Sequence, residues 1–260
     1  MRATDVPGLE RGVAILRLFS RRRTRIAAPE VTSELGIPRS TVHRLLHSLE
    51  ALGLLRAEPD GRFALGPGVL SLGFEYLAAL DIVEVAAPVL AQLRDDIGCS
   101  TQLAVLDRTN VVFVARFPAS GAVVSSFGVG FTVPAHVTRI GRLMLGDLAP
   151  DALAALYRGV RLVADGNNAP TTLAALAARI AEDRARGYGI SDSASAGERF
   201  PRGMIAISAP VRGLGGRIVA GINATTVSGA FSASEIEDRL RDRVVAAAAE
   251  ISQRLGAPAK

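Results

Sequence analysis

Residues 29–52, PEVTSELGIPRSTVHRLLHSLEAL, restrict the possible folds more than any other part of this chain. Val31 and Leu35 form one apolar stripe; Val42, Leu45, Leu46, Leu49 and Leu52 form a second at helical spacing. Between them, Leu35-Gly36-Ile37-Pro38 closes one helix and opens the next. Gly36 is able to take positive φ as a C-cap, and Pro38 cannot continue the first helix. Two short helices joined by so tight a turn need other elements to cover their apolar stripes.

Those elements flank the pair. Residues 9–19 read as a first helix with Val13, Ile15, Leu16, Leu18 and Phe19 facing inward. Residues 53–66 hold two short apolar runs on either side of Pro59-Asp60-Gly61, a turn signal. Three helices and a hairpin make a winged helix-turn-helix over residues 1–66. The second helix of the turn carries Arg39, Ser40, Thr41, His43, Arg44 and His47 off its apolar stripe. A helix presenting such groups at its N-terminal end can enter the major groove of double-stranded DNA and reach phosphates and base edges. The wing places Arg62 near its tip, and the connection after the first helix holds Arg21, Arg22, Arg23 and Arg25. Such a run serves as a solvated loop or as a set of phosphate contacts.

The charge distribution agrees. Residues 1–66 carry 11 Arg against 7 Asp and Glu, whereas residues 67–260 are nearly balanced, 19 against 18. Most of the excess positive charge therefore sits in the quarter of the chain that has the DNA-binding pattern. A length of 260 residues suits two domains, and an apolar fraction of 49% can build their cores. No apolar run approaches a membrane span and the N-terminus has no signal-like core, so a cytoplasmic protein with no membrane partner is expected. A single cysteine, Cys99, leaves no intrachain disulfide framework.

Residues 67–81 read as a connecting helix, with Leu70, Leu72, Phe74, Leu77 and Leu80 too apolar for a free linker. A partner subunit is the expected cover. Residues 82–260 alternate helix and strand. Helices are expected at 83–97, 140–148, 152–157, 171–187 and 232–255. Strands are expected at 101–106, 111–117, 122–127, 204–211 and 217–224. Antiparallel hairpins with helices laid across them indicate an α+β domain.

Polar groups for a small-molecule pocket cluster in three segments of that domain. Residues 134–142 offer His136, Thr138, Arg139 and Arg142: Thr138 can cap the following helix, and either Arg could clamp a carboxylate. Residues 188–193 offer Asp192 after a helix end. Residues 223–226 put Asn223 and Thr225 on one strand face. His136 could equally satisfy a buried backbone group, and Asp192 could form only an Asx turn. Arg116, Arg199 and Arg202 are as compatible with solvated positions as with functional ones.

The segments GLERGVAILRLF, IPRSTVHRLLHSLEALGLL and RFALGPGVLSLG resemble IclR-type transcriptional regulators, and the resemblance extends over nearly the whole chain. It implies a GAF- or profilin-like effector-binding domain at residues 82–260, which also oligomerises. It implies pocket roles for Arg139, Ile140, Asp192, Ala206, Asn223 and Thr225. Arg139 and Ile140 stand where many members carry small residues, and Arg142 replaces a frequent Lys. Similarity is greatest to the branch that senses aromatic acids such as protocatechuate and 4-hydroxybenzoate. A ligand-responsive regulator of a catabolic operon follows, acting as a homodimer or dimer of dimers on a DNA operator. A small organic acid is its effector, and RNA polymerase is left open as a further partner. The alternatives are a DNA-binding dimer whose C-terminal domain only oligomerises, and an enzyme with an accessory DNA-binding domain. The last has little support: the three His are His43, His47 and His136, and no HExxH, CxxC or P-loop is present. No cofactor and no metal are expected.

Overall fold

The computed structural model describes residues 6–20, 22–120, 128–164, 169–192 and 203–258. The chain forms two compact units, Met1–Ala79 and Leu80–Lys260. In the first, α1 (Pro7–Leu16), α2 (Ala28–Leu35) and α3 (Arg39–Ala51) enclose a core of Ile15, Ile26, Val31, Val42, Leu46 and Leu49. Gly36 ends α2 in the left-handed region (φ 63°), as its lack of a Cβ permits. The hairpin of β2 (Leu55–Ala57) and β3 (Phe63–Leu65) closes the core with Leu55 and Phe63. Its turn is set by Asp60, whose carboxylate accepts from the Arg62 N–H at 3.1 Å, and by Gly61 at φ 76°.

The first unit differs from expectation in several respects: α1 runs Pro7–Leu16 rather than 9–19, and Val13 and Leu52, expected on apolar stripes, are 38% and 70% exposed. Residues 20–26 are not all loop: Arg25–Ile26 form β1, which pairs with β3 and completes a three-stranded sheet in the order β1-β3-β2. Two residues are too short to show alternation, so only the pairing reveals them. Beyond the wing, α4 (Gly68–Ala78) has no buried residue within this chain. Its Leu70, Leu72 and Phe74 are each more than 60% exposed.

The second unit is built on a six-stranded antiparallel sheet among the described residues. The strands are β4 (Ser100–Asp107), β5 (Asn110–Phe117), β6 (Thr132–Pro134), β7 (Gly189–Asp192), β8 (Met204–Arg212) and β9 (Ile218–Val227), in the order β6-β5-β4-β9-β8-β7. The two expected hairpins are present, β4–β5 and β8–β9. Strands β6 and β7 were not foreseen; each is an edge strand of three or four residues. The expected strand at 122–127 lies outside the described residues.

The sheet has two unlike faces. One carries Thr101, Leu103, Ile207, Ala209, Ile222 and Ala224, all buried. It packs on α5 (Asp81–Ile97) and α9 (Arg241–Arg254); Thr101 Oγ1 donates to Leu90 O at 2.8 Å, and Ser252 Oγ accepts from the Arg212 N–H at 2.9 Å. The other face begins apolar, with Ala104, Val111, Phe113 and Val133 against α6 (Arg139–Met144) and α8 (Leu173–Arg186). It then turns polar. Another helix, α7 (Pro150–Leu156), adds Leu153 to this layer. Ahead of α9, a wider helical turn at Glu235–Leu240 follows a reciprocal cap: the Glu235 carboxylate accepts from the Ser232 N–H, and Ser232 Oγ accepts from the Glu235 N–H.

Candidate DNA-binding face and candidate effector site

The DNA-binding candidates fall into two groups by electrostatic partner. On α3, Val42, Leu46 and Leu49 are buried, so Arg39, Ser40, His43, Arg44 and His47 are turned outward as one exposed face, with Thr41 half-buried. Arg22, Arg39 and Arg44 have no ion pair among the described residues. The others do. Arg23 pairs with Glu34 and Glu30 of α2, Arg25 lies 3.8 Å from both Glu58 and Asp60, and Arg62 lies 3.4 Å from Glu30. Glu30 also accepts from the Ala27 N–H, and that bond together with the two Arg groups holds its carboxyl below the usual range. His47 Nδ1 lies 3.1 Å from Glu50 Oε2, with its ring edge-on to Phe63. Exposed pairs of this kind are worth only about 0–1 kcal/mol, so a phosphate can compete for these cations. Arg21, like Arg199 and Arg202, lies outside the described residues.

The effector candidates converge on the polar half of the sheet, under α6. Register places Gln102 opposite Asn223, and Asn223 opposite Ser208; it places Thr225 between Ser100 and Ala206. Ser100, Gln102, Ser208 and Asn223 are all buried. Their polar atoms pair across strands: Ser208 Oγ donates to Asn223 Oδ1 at 2.6 Å, and Gln102 Nε2 to Thr225 Oγ1 at 2.9 Å. The helix above comes close because the sheet is bare there. A Cβ on Gly221 would lie 2.7 Å from the Ile140 side chain, and one on Gly189 would lie 2.8 Å from that of Arg139. Ile140, Asn223, Thr225 and Ala206 thus share one face.

Other expected pocket residues are placed differently. Thr138 caps α6 as expected, its Oγ1 accepting from the Gly141 N–H at 3.0 Å. Thr138→Ala is expected to remove about 1 kcal/mol and to lower the melting temperature of this unit by roughly 2–4 °C in a circular dichroism melt. Arg139 and Arg142, either of which was expected to clamp a carboxylate, both meet Asp183 of α8. Arg139 Nη1 donates to Asp183 Oδ1 at 2.5 Å and Arg142 Nε to Asp183 Oδ2 at 2.7 Å, while Arg142 Nη1 also donates to His136 O. Asp183 is fully buried and Arg142 only 6% exposed, so both guanidinium groups face a carboxylate of this chain. Burial pulls the Arg142 guanidinium down, and Asp183 opposes that shift. His136 is buried, with Nε2 at 3.2 Å from Val163 O and its ring edge-on to Tyr157. That backbone contact is one of the two roles expected for it. In β7, Asp192 pairs with Ile205, and it is Ser191 that pairs with Ala206.

Sequence reading missed Asp183, Ser100, Gln102 and Ser208. Asp183 was visible in outline: it extends the inward stripe of Leu176 and Ile180 by three residues. Gln102 had no such signal, because its place opposite Asn223 depends on strand pairing across more than a hundred residues. Among the described residues, no group of three or more His, Cys, Asp or Glu is arranged to hold a metal ion. No single described helix is long and apolar enough to cross a membrane.

A winged helix with an outward cationic helix, followed in one chain by an antiparallel sheet unit flanked by helices, defines a two-domain DNA-binding regulator. Residues 8–59 match the IclR helix-turn-helix domain, and residues 74–253 match the family described as bacterial transcriptional regulator IclR C-terminal. The chain belongs to the IclR family of transcriptional regulators. Relatives include the Pca regulon regulatory protein of Pseudomonas putida, 28% identical over 95% of this chain and 83% of its own length. The regulator XynR of Escherichia coli is 26% identical over 98% and 99%. Among solved structures, a putative transcriptional regulator from a Rhodococcus species is 31% identical, covering 97% of this chain and 99% of that one, with a TM-score of 0.75. An IclR homolog from Microbacterium hydrocarbonoxydans, solved with 4-hydroxybenzoate, shares the fold at 24% identity and a TM-score of 0.75, covering 96% and 99%.

Proposed function

We propose that the protein is a ligand-responsive regulator of a catabolic operon, with a small organic acid, aromatic in type, as effector. The observation that carries the effector half is the buried polar patch of Ser100, Gln102, Ser208 and Asn223, beside half-buried Thr225, on an otherwise apolar sheet under α6. These groups meet one another across the strands, as buried polar groups must, and the donors and acceptors left over give a small acid something to bind. The similarity to a Pca regulon regulator, and the 4-hydroxybenzoate bound by one homolog, support an aromatic acid. In this reading residues 1–66 bind DNA, residues 67–81 connect, and residues 82–260 bind effector and oligomerise. Arg39, Ser40, Thr41, His43, Arg44 and His47 read the major groove, with Arg22, Arg25 and Arg62 on phosphates. Ile140, Ala206, Asn223 and Thr225 line the effector site.

The bare apolar side of α4 supports a dimer. A Phe74→Glu variant is expected to shift the protein toward monomer in light scattering after size exclusion. An unchanged mass would place the dimer contact elsewhere. Two-fold half-sites lie roughly 34 Å apart or at multiples of it, so a modest reorientation of the paired winged helices alters operator affinity. A coupling of about 1–3 kcal/mol corresponds to roughly 5- to 150-fold.

The test is thermal shift against protocatechuate, 4-hydroxybenzoate, glyoxylate and pyruvate, followed by operator-binding titration with the acid that responds. At 100 times its Kd, a ligand is expected to add about 2.7 kcal/mol to the stability of the unit that binds it. A response that moves melting temperature and operator affinity together supports the proposal. An operator affinity unmoved by every acid, with no thermal shift, would sink it.

A further inference from the structure

Two buried polar atoms of this sheet region have no hydrogen-bond partner among the described residues. The first belongs to Gln102, which is only 2% exposed. Its Nε2 donates to Thr225 Oγ1, and the Thr225 hydroxyl donates in turn to Ser100 O at 3.4 Å. In that arrangement the hydroxyl proton is directed at Ser100 O and the group facing Thr225 is the amide N–H. Gln102 Oε1 is left buried and unpaired. The second atom is Arg116 Nε on β5, also buried and unpaired.

The register joins them. Arg116 is the cross-strand partner of Gln102, so the two side chains leave the same face, with Cβ atoms about 4.5–5.5 Å apart. Arg116 reaches that face through a bulge. Leu103 pairs with Ala115 but Ala104 pairs with Phe113, so Val114 is the extra residue. Without it, alternation from Phe113 would send Arg116 to the opposite face.

We propose that Gln102 and Arg116 form a subsite for a hydroxy acid, its carboxylate accepting from Arg116 and its hydroxyl donating to Gln102 Oε1. The assignment rests on the acid-binding reading of this face given above. The chemistry is selective in both directions. A plain acid leaves Oε1 unpaired, and a plain alcohol leaves the guanidinium without an anion. Arg139 and Arg142 are poor substitutes, since each already faces Asp183.

Isothermal titration of the full-length protein with benzoate, 4-hydroxybenzoate and 3,4-dihydroxybenzoate tests this. The better hydroxylated acid should bind about 10-fold tighter than benzoate, the scale of one satisfied buried hydrogen bond. Gln102→Met should erase that preference by weakening only the hydroxylated acids. Arg116→Gln should weaken all three by about 10-fold or more, as removal of a charge-assisted bond does. Gln102→Glu should abolish acid binding while melting close to the wild type, because its carboxylate pairs with Arg116. Wild-type binding that both Gln102→Met and Arg116→Gln leave unchanged overturns the subsite and spares the acid-binding reading. No binding of any of the three acids overturns both.

Discussion

Replacing Asp183 by alanine is expected to destabilise the C-terminal unit by about 3–5 kcal/mol, the usual consequence of leaving a buried charge without its partner. For a unit of this size that is a fall in melting temperature of roughly 6–20 °C. The expectation follows from geometry: Asp183 is fully buried, and it holds Arg142 at 2.7 Å and Arg139 at 2.5 Å. Removing the carboxylate strands the Arg142 guanidinium, which is 6% exposed and, among the described residues, retains only its bond to His136 O. Two further variants separate charge from packing. Asp183→Asn keeps the shape and removes the charge, so it should lie between wild type and alanine. Asp183→Leu combined with Arg142→Met removes both charges and should recover much of the stability. If Asp183→Ala melts within about 2 °C of wild type, the site relaxes enough to hydrate Arg142, and the cluster contributes little.

The second large effect is expected at α3. Arg39→Ala and Arg44→Ala should each weaken operator binding by roughly 5- to 150-fold, corresponding to about 1–3 kcal/mol per base-reading contact. Both side chains are exposed and have no ion pair among the described residues, so no carboxylate described in this chain competes for them. Fluorescence anisotropy at several salt concentrations distinguishes their roles. An arginine that holds a phosphate should, when truncated, weaken binding to all sequences alike and flatten the salt slope by about 1. An arginine that reads a base should, when truncated, relax specificity at one position of the operator. Arg94→Ala is the control, since that residue pairs with Asp95 in the other unit. Wild-type affinity and slope in both α3 variants would move the DNA-binding surface off this helix.

Much of the first unit was legible because its signals are local. A glycine that takes positive φ, a proline that stops a helix and an Asp-Gly turn act within four residues of themselves. The apolar stripes of α2 and α3 likewise report their buried side without knowledge of what buries it. Strand β1 escaped because two residues carry no period. In the second unit the hairpins β4–β5 and β8–β9 were legible for the same local reason. Short edge strands β6 and β7 were not, since only their neighbours define them.

The effector candidates divide along that line. Asn223 and Thr225 alternate along one strand, so their shared face could be read directly, and Thr138 could be read as a cap. The partners of Arg139 and Arg142 could not. Asp183 lies more than forty residues away, and the apolar spacing of α8 says that a residue is buried, not which charge it meets.

What the sequence by itself determined is therefore the winged helix, the outward face of α3 and the α+β character of the remainder, all set by interactions between near neighbours. Only the tertiary structure decided which polar groups face one another. Strand pairing brought Gln102 to Asn223 and Thr225, and helix packing directed Arg139 and Arg142 toward Asp183. One extra residue in β5 put Arg116 on the face of the candidate site. Each of these depends on register between distant segments, which a one-residue shift would reverse, and no local pattern records it.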